Sequence, residues 1–269
     1  LVNWFERSPQ SKGHDFYIAG ESYAGHYVPQ LADKIVEMNS KIDRNRHIIN
    51  LKGIMVHNRG MVEYAWNHAI ISDELYAALG KDCNFSDDVT ESDFSHLSSA
   101  ATHEWSDTCN SAMEAFDRAA YDIIDGYHVK ALHANATGRI PYRWAPCNRN
   151  LSESWQDSPA STLPVIKRMV DAGLRVWVYS GDTDARVSVT STRYALRKLR
   201  LPTVRQWREW YTSDQVGGYT VADDGLTFAT VRGAGHMVPR FTPVQARQLF
   251  AHFLAGEELS PTPVAATSA

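Results

Sequence analysis

The segment Gly20-Glu21-Ser22-Tyr23-Ala24-Gly25 places a serine between two small residues, Gly20 and Ala24, each two positions away. Such flanks let a chain leave a strand, turn sharply at the serine and enter a helix, so that the hydroxyl projects from the turn. The N–H groups at the start of that helix favour negative charge developing beside it. A serine hydroxyl alone is a weak nucleophile. It needs an imidazole to take its proton and a carboxylate to orient the imidazole. Both follow in the order serine, acid, histidine that nucleophile-elbow hydrolases use. Ser180-Gly181-Asp182-Thr183-Asp184 carries two candidate acids, and Gly233-Ala234-Gly235-His236-Met237-Val238-Pro239 carries a His behind three small residues. Asp184 is the favoured acid, since it lies further along its loop and reaches better toward His236. Asp182 suits the capping of a turn after a strand and stays as the alternative. The other His residues, His26 on the helix after the elbow included, read as surface or satisfied polar groups. The chemistry implied is acyl transfer through a covalent serine intermediate.

These three segments need strands that end at one edge of a sheet. Leu1–Arg7 reads as an amphipathic helix, and Phe16–Ala19 as a short buried strand ending at Gly20. Tyr27, Leu31, Ile35 and Met38 follow at helical steps, then Ile48 to Val56 as a second strand. From Leu163 a helix runs to about Ala172, followed by the strand Leu174–Ser180 and a helix near Ser191–Leu199. Trp207–Tyr211, Gly218–Val221 and Leu226–Val231 read as strands, the last two joined by the Asp223-Asp224-Gly225 turn. The helix Pro243–Leu254 is expected to turn Val244, Leu249, Phe250 and Phe253 to the core. Strands alternating with helices predict an α/β fold, a mostly parallel sheet with helices on both faces. Between residues 57 and 153 this rhythm fails, apart from a helix near Tyr64–Leu79. The expected organisation is a core of 1–56 with 154–269 and an inserted cap of 57–153. The Ser/Pro/Thr/Ala tail from Ser260 to Ala269 is expected to be disordered.

Composition excludes several classes. With 43% hydrophobic and 22% charged residues the chain is an ordinary globular protein. A net charge of −4 leaves no footprint for nucleic acid or an anionic membrane. No apolar run reaches the roughly 18 residues that span a bilayer. The three cysteines, Cys83, Cys109 and Cys147, form no metal-type cluster, and nothing in the chain calls for a metal or another cofactor. Asn84, Asn135 and Asn150 each begin an N-x-S/T tripeptide, which points to a glycoprotein of the secretory pathway.

Beyond the bare pattern, Gly20 to Pro29 resembles the nucleophile signature of the serine carboxypeptidase family. Ser180–Asp184 and Gly233–Pro239 are similar to its acid and histidine signatures. Further similarity, particularly to plant members, runs through Tyr64–His68, Ala131–Asn135, Glu209-Trp210-Tyr211 and Val216-Gly217-Gly218, and so covers nearly the whole chain. The resemblance implies an α/β-hydrolase fold and the release of C-terminal residues from peptides at acidic pH. It implies Ser22 as nucleophile, Asp184 as acid, His236 as base and the Tyr23 N–H as one oxyanion donor. It implies Glu21, with Met237, at the substrate's terminal carboxylate. A Glu beside a bound carboxylate must be protonated to donate, a physical reason for activity at low pH. A peptide with a free C-terminus is the expected partner, and the vacuole or the extracellular space the expected location. A homodimer is left open. Acyltransferases of the same family, and non-catalytic secreted or vacuolar homologues, remain alternatives.

The family begins well upstream of Leu1, so the N-terminal sheet strands and a glycine-rich segment with a second oxyanion donor are expected to be missing. Losing one such donor costs on the order of 10²–10³ in rate, which makes this chain by itself a weak catalyst on that reading. The resemblance pairs Cys83 with Cys109 and leaves Cys147 without a partner. His57, Arg186 and Ser188 depart from the family pattern, and Arg186 is placed to compete for Asp184.

Overall fold

The computed structural model describes residues 1–41, 49–57, 72–83, 106–112, 115, 154, 161–184 and 189–263. The chain divides into one unit of Leu1–Gly60 with Ser161–Ala269 and a second of Met61–Ala160.

The first unit is built on a six-stranded sheet of β1 (Phe16–Gly20), β2 (Leu51–His57), β3 (Arg175–Gly181), β4 (Thr203–Thr212), β5 (Gln215–Asp223) and β6 (Leu226–Val231), in the order β1-β2-β3-β6-β5-β4. β1, β2, β3 and β6 are parallel, and β6, β5 and β4 are antiparallel neighbours. The parallel strands read as near-continuous apolar runs because both of their faces are covered; in β3 every residue from Val176 to Gly181 is buried.

Helices cover the two faces. On one, α2 (Ala24–Ser40), α4 (Leu163–Asp171) and α5 (Val189–Arg197) contribute Val28, Ala32, Ile35, Ile166, Met169 and Leu196 to a core with Ile54, Val176, Val178 and Phe228. On the other, α7 (Pro243–Ala255) buries Leu249 and Phe253 against Met55, Trp177 and Val231. Trp210 is fully buried there and gives its indole N–H to the Thr230 carbonyl at 2.9 Å. α1 (Val2–Arg7) buries Phe5, and the short α6 (Val238–Phe241) precedes α7.

Two helix faces differ from the sequence expectation. Tyr27, Leu31 and Met38 of α2 are exposed, and only Ile35 of the expected stripe is buried. α2 starts immediately after the elbow with Ala24 against the end of β1, and this phases Ala24, Val28, Ala32 and Ile35 onto the sheet. The exposed members of the expected stripe, Tyr27, Leu31 and Met38, lie roughly 75° to one side of that face. In α7, Val244 and Phe250 are likewise exposed while Leu249 and Phe253 are buried.

In the second unit, α3 (Asp73–Asp82) is capped by Ser72, whose Oγ accepts the Leu75 N–H at 3.2 Å. A disulfide joins Cys83, at the end of α3, to Cys109, the pairing that the resemblance implied. Asn84, Asn135, Asn150, Cys147, Arg186, Ser188 and the segment 64–71 lie outside the described residues.

Candidate active site

Because β1, β3 and β6 are parallel, their carboxyl ends reach the same edge of the sheet, where α/β folds place ligands and reacting groups. Gly20 ends β1 in register with Val56, and Gly181 ends β3 in register with Val231 of β6. Each end feeds one of the three chemical segments.

At the end of β1 the chain turns at Ser22, whose φ of 63° lies in the left-handed region. A non-glycine residue there costs about 1–2 kcal/mol, and such strain persists where surrounding packing dictates it. That packing is visible at Gly20: a Cβ would run into the Ala24 methyl and stand 3.0 Å from Val28. The strand end and the helix start are closer than side chains allow, so the sharp turn is forced on Ser22. Gly25 N–H bonds the Ser22 carbonyl at 2.9 Å, and Ala24 N–H bonds that of Glu21 at 3.2 Å. The serine therefore sits against the N-terminus of a 17-residue helix.

His236 arrives on the loop after β6. Its Nε2 stands 2.9 Å from Ser22 Oγ and its Nδ1 3.0 Å from Asp184 Oδ2. Asp184 is 1% exposed, and a carboxylate so deeply held fixes the imidazole's tautomer and orientation. Residues 22, 184 and 236 thus form one hydrogen-bonded line. Asp182 lies outside it and accepts the Gly233 N–H at 2.7 Å.

The two acid-bearing and histidine-bearing loops are fastened together before either reaches Ser22. Asp182 N–H bonds the Val231 carbonyl at 3.0 Å, and Thr183 gives both its N–H (3.0 Å) and its hydroxyl (2.8 Å) to the Ala234 carbonyl. Gly181 must lack a side chain, because a Cβ there would collide with the Ala234 carbonyl and stand 2.5 Å from that of Gly235.

Glu21, beside the nucleophile, is partly buried, and its Oε2 is enclosed without a hydrogen-bond partner. Burial pushes its carboxyl above the ordinary value, with Asp184 adding to the rise, while His236 and the Val238 N–H oppose it. The Tyr179 hydroxyl is also pushed up, first by burial and then by the nearby Glu21 charge. The Tyr23 ring stacks on His26 at 4.9 Å and meets the edge of Tyr27 at 5.0 Å, leaving its peptide N–H at the helix start. Met237 follows His236, and its carbonyl accepts the N–H groups of Arg240 and Phe241 as α6 begins. Among the described residues no group of acidic, His and Cys side chains is arranged to hold a metal ion.

Sequence reasoning passes over Tyr179 and Thr183. Tyr179 reads as one apolar residue of a buried strand, and Thr183 as a spacer between two acids. The neighbouring Gly181 is the available signal, since a glycine that ends a buried strand marks a close approach of backbone.

A family model described as serine carboxypeptidase matches residues 1–130 and 125–256. Among curated proteins, the chain is 43% identical over 98% of its length to serine carboxypeptidase-like 34 of Arabidopsis thaliana. It is 42% identical over 96% to serine carboxypeptidase 24 of the same plant, and 41% identical over 94% to serine carboxypeptidase II-1 of Hordeum vulgare. It spans 64% and 65% of the two Arabidopsis proteins and 90% of the Hordeum protein. A crystal structure of a prohormone-processing carboxypeptidase from Saccharomyces cerevisiae superposes with a TM-score of 0.67 at 17% identity, covering 98% of this chain and 67% of that one. That superposition concerns the fold, which is the α/β-hydrolase fold expected from the sequence.

Proposed function

The chain belongs to the serine carboxypeptidase family, and on that premise we propose that it removes C-terminal residues from peptides through an acyl-enzyme at acidic pH. One observation carries the reading: Ser22 Oγ, His236 and Asp184 are linked by hydrogen bonds of 2.9 and 3.0 Å at a strained turn. In this reading His236 Nε2 takes the hydroxyl proton as Ser22 Oγ attacks the scissile carbonyl. Asp184 stabilises the imidazolium that forms. The carbonyl oxygen becomes an oxyanion against the N-terminus of α2, where the Tyr23 N–H is one donor. Collapse breaks the C–N bond and His236 returns the proton to the departing amine. Water, deprotonated by His236, then releases the acyl group.

Glu21 supports the acidic optimum and the preference for a free C-terminus. Burial shifts Glu21 toward its neutral form, and a protonated carboxyl can donate to the substrate's terminal carboxylate, whereas an ionised one repels it. Met237, next to His236, would line the same end of the site. The Cys83–Cys109 bridge fits an oxidising compartment, and we assign the protein to the secretory pathway, in the vacuole or outside the cell. No described helix is long and apolar enough to cross a membrane.

The test is labelling by a fluorophosphonate and hydrolysis of a blocked dipeptide at mildly acidic pH. The wild-type chain should do both, S22A neither, and a dipeptide with an amidated C-terminus should be cut more slowly. Absence of labelling in the wild-type chain would make it a non-catalytic homologue. Transfer of the acyl group to an added alcohol in preference to water would make it an acyltransferase.

A further inference from the structure

We propose that Thr183, with Asp182, is a positioning residue for the base: the two grip the backbone before His236 and set the imidazole between Ser22 and Asp184. The inference rests on the catalytic reading above and adds two residues to it.

Its basis is the run of contacts between residues 181–184 and 231–236. A single hydrogen bond between His236 and Asp184 would fix one atom of an imidazole on a glycine-rich loop, leaving the ring free to swing about that point. Gly233-Ala234-Gly235 gives the loop little stiffness of its own, and Gly233 already takes a left-handed φ of 71°. The missing stiffness comes from the facing loop. Asp182 holds the Gly233 N–H at 2.7 Å. Thr183 holds the Ala234 carbonyl with two donors, its N–H at 3.0 Å and its hydroxyl at 2.8 Å. Gly181 lets the Ala234 and Gly235 carbonyls come close enough for those bonds to form. Consecutive residues of one loop thus fasten consecutive residues of the other, Gly233 and Ala234, and His236 follows after Gly235 alone. The division of labour also explains why two acids stand two apart: Asp182 serves the backbone of the loop and Asp184 the ring it carries.

Thr183 is itself exposed, so changing its hydroxyl leaves the core intact. T183V removes one of the two donors to Ala234 at nearly constant shape, and T183S keeps it. A displacement of the ring by about 1 Å can cost on the order of 10²-fold in rate. The first readout is fluorophosphonate labelling, which reports Ser22 activation without needing a substrate carboxylate. T183V should label 10- to 10²-fold more slowly, with KM for the blocked dipeptide unchanged and kcat reduced, and T183S should recover most of the rate. D182A should behave like T183V, and D182N, whose amide oxygen can still accept the Gly233 N–H, should be milder. The second readout is the downfield proton resonance of His236 Nδ1–H, assigned by its loss in H236Q. That signal should weaken in T183V and D182A and persist in T183S and D182N. Equal labelling by T183V and the wild-type chain, or an unchanged His236 resonance in both T183V and D182A, would overturn the proposal. If the wild-type chain does not label at all, the catalytic reading fails and the resonance alone decides whether the grip exists.

Discussion

Asp182 and Asp184 stand two residues apart on one loop and hold different parts of the same partner: Asp182 accepts the Gly233 N–H at 2.7 Å, and Asp184 meets His236 Nδ1 at 3.0 Å. Carboxylates of one type and nearly one position are thereby given separate tasks, which makes their amide variants diagnostic. D184N presents the wrong donor to the imidazole and favours the wrong tautomer, so kcat for the blocked dipeptide should fall by about 10⁴-fold. D182N retains an acceptor for Gly233 and should fall far less. A comparison of the two rates at a single pH checks the assignment, and the reverse ranking would return the acid role to Asp182.

Glu21 should impose a pH dependence on substrate binding. Its folded-state carboxyl is raised, first by burial, so the neutral form is favoured in the folded chain. The stability it contributes is therefore full at pH below the ordinary carboxylate value and is lost as pH rises through the raised one. E21Q is neutral at every pH. Its melting temperature relative to wild type should thus increase on going from acid to neutral pH. The KM of the wild-type chain for peptides should rise over the same interval, and that of E21Q should stay flat. Parallel pH profiles of KM for the two proteins would remove Glu21 from the binding of the terminal carboxylate.

The left-handed conformation of Ser22 should be detectable as strain. S22A and S22G should both abolish labelling, but glycine adopts φ of 63° freely and alanine does not. In urea unfolding S22G should exceed S22A in stability by about 1 kcal/mol. Equal or reversed stabilities would mean that the turn is not held in this conformation in solution.

The Cys83–Cys109 bridge, 26 residues apart in sequence, should constrain the unfolded second unit by about 3.5 kcal/mol. C83S/C109S should become sensitive to limited proteolysis within Met61–Ala160 at lower urea than the wild type, while Ser22 labelling persists. With two of its three cysteines bridged, the denatured wild-type chain should titrate one thiol without reductant. Three titrating thiols would show that the bridge is absent.

The alternation of strands and helices, the order Ser22, acid, His236 and the elbow at Gly20–Ala24 were all readable from residue types, because each depends on local backbone demands: a sharp turn needs small neighbours, and buried parallel strands need apolar runs. Burial faces were not readable in the same way. Tyr27, Leu31 and Met38 satisfy a helical period as well as Val28, Ala32 and Ile35 do, and only the seat of Ala24 on the end of β1 decided which set meets the sheet. The choice between Asp182 and Asp184 was equally a matter of tertiary structure. Both are acids on a loop of suitable length, and the ladder that brings Gly181 beside Val231 places the first at Gly233 and the second at His236. Thr183 drew no notice in the sequence because its role is a contact with a carbonyl 51 residues away, and no local pattern encodes the partner of a long-range hydrogen bond.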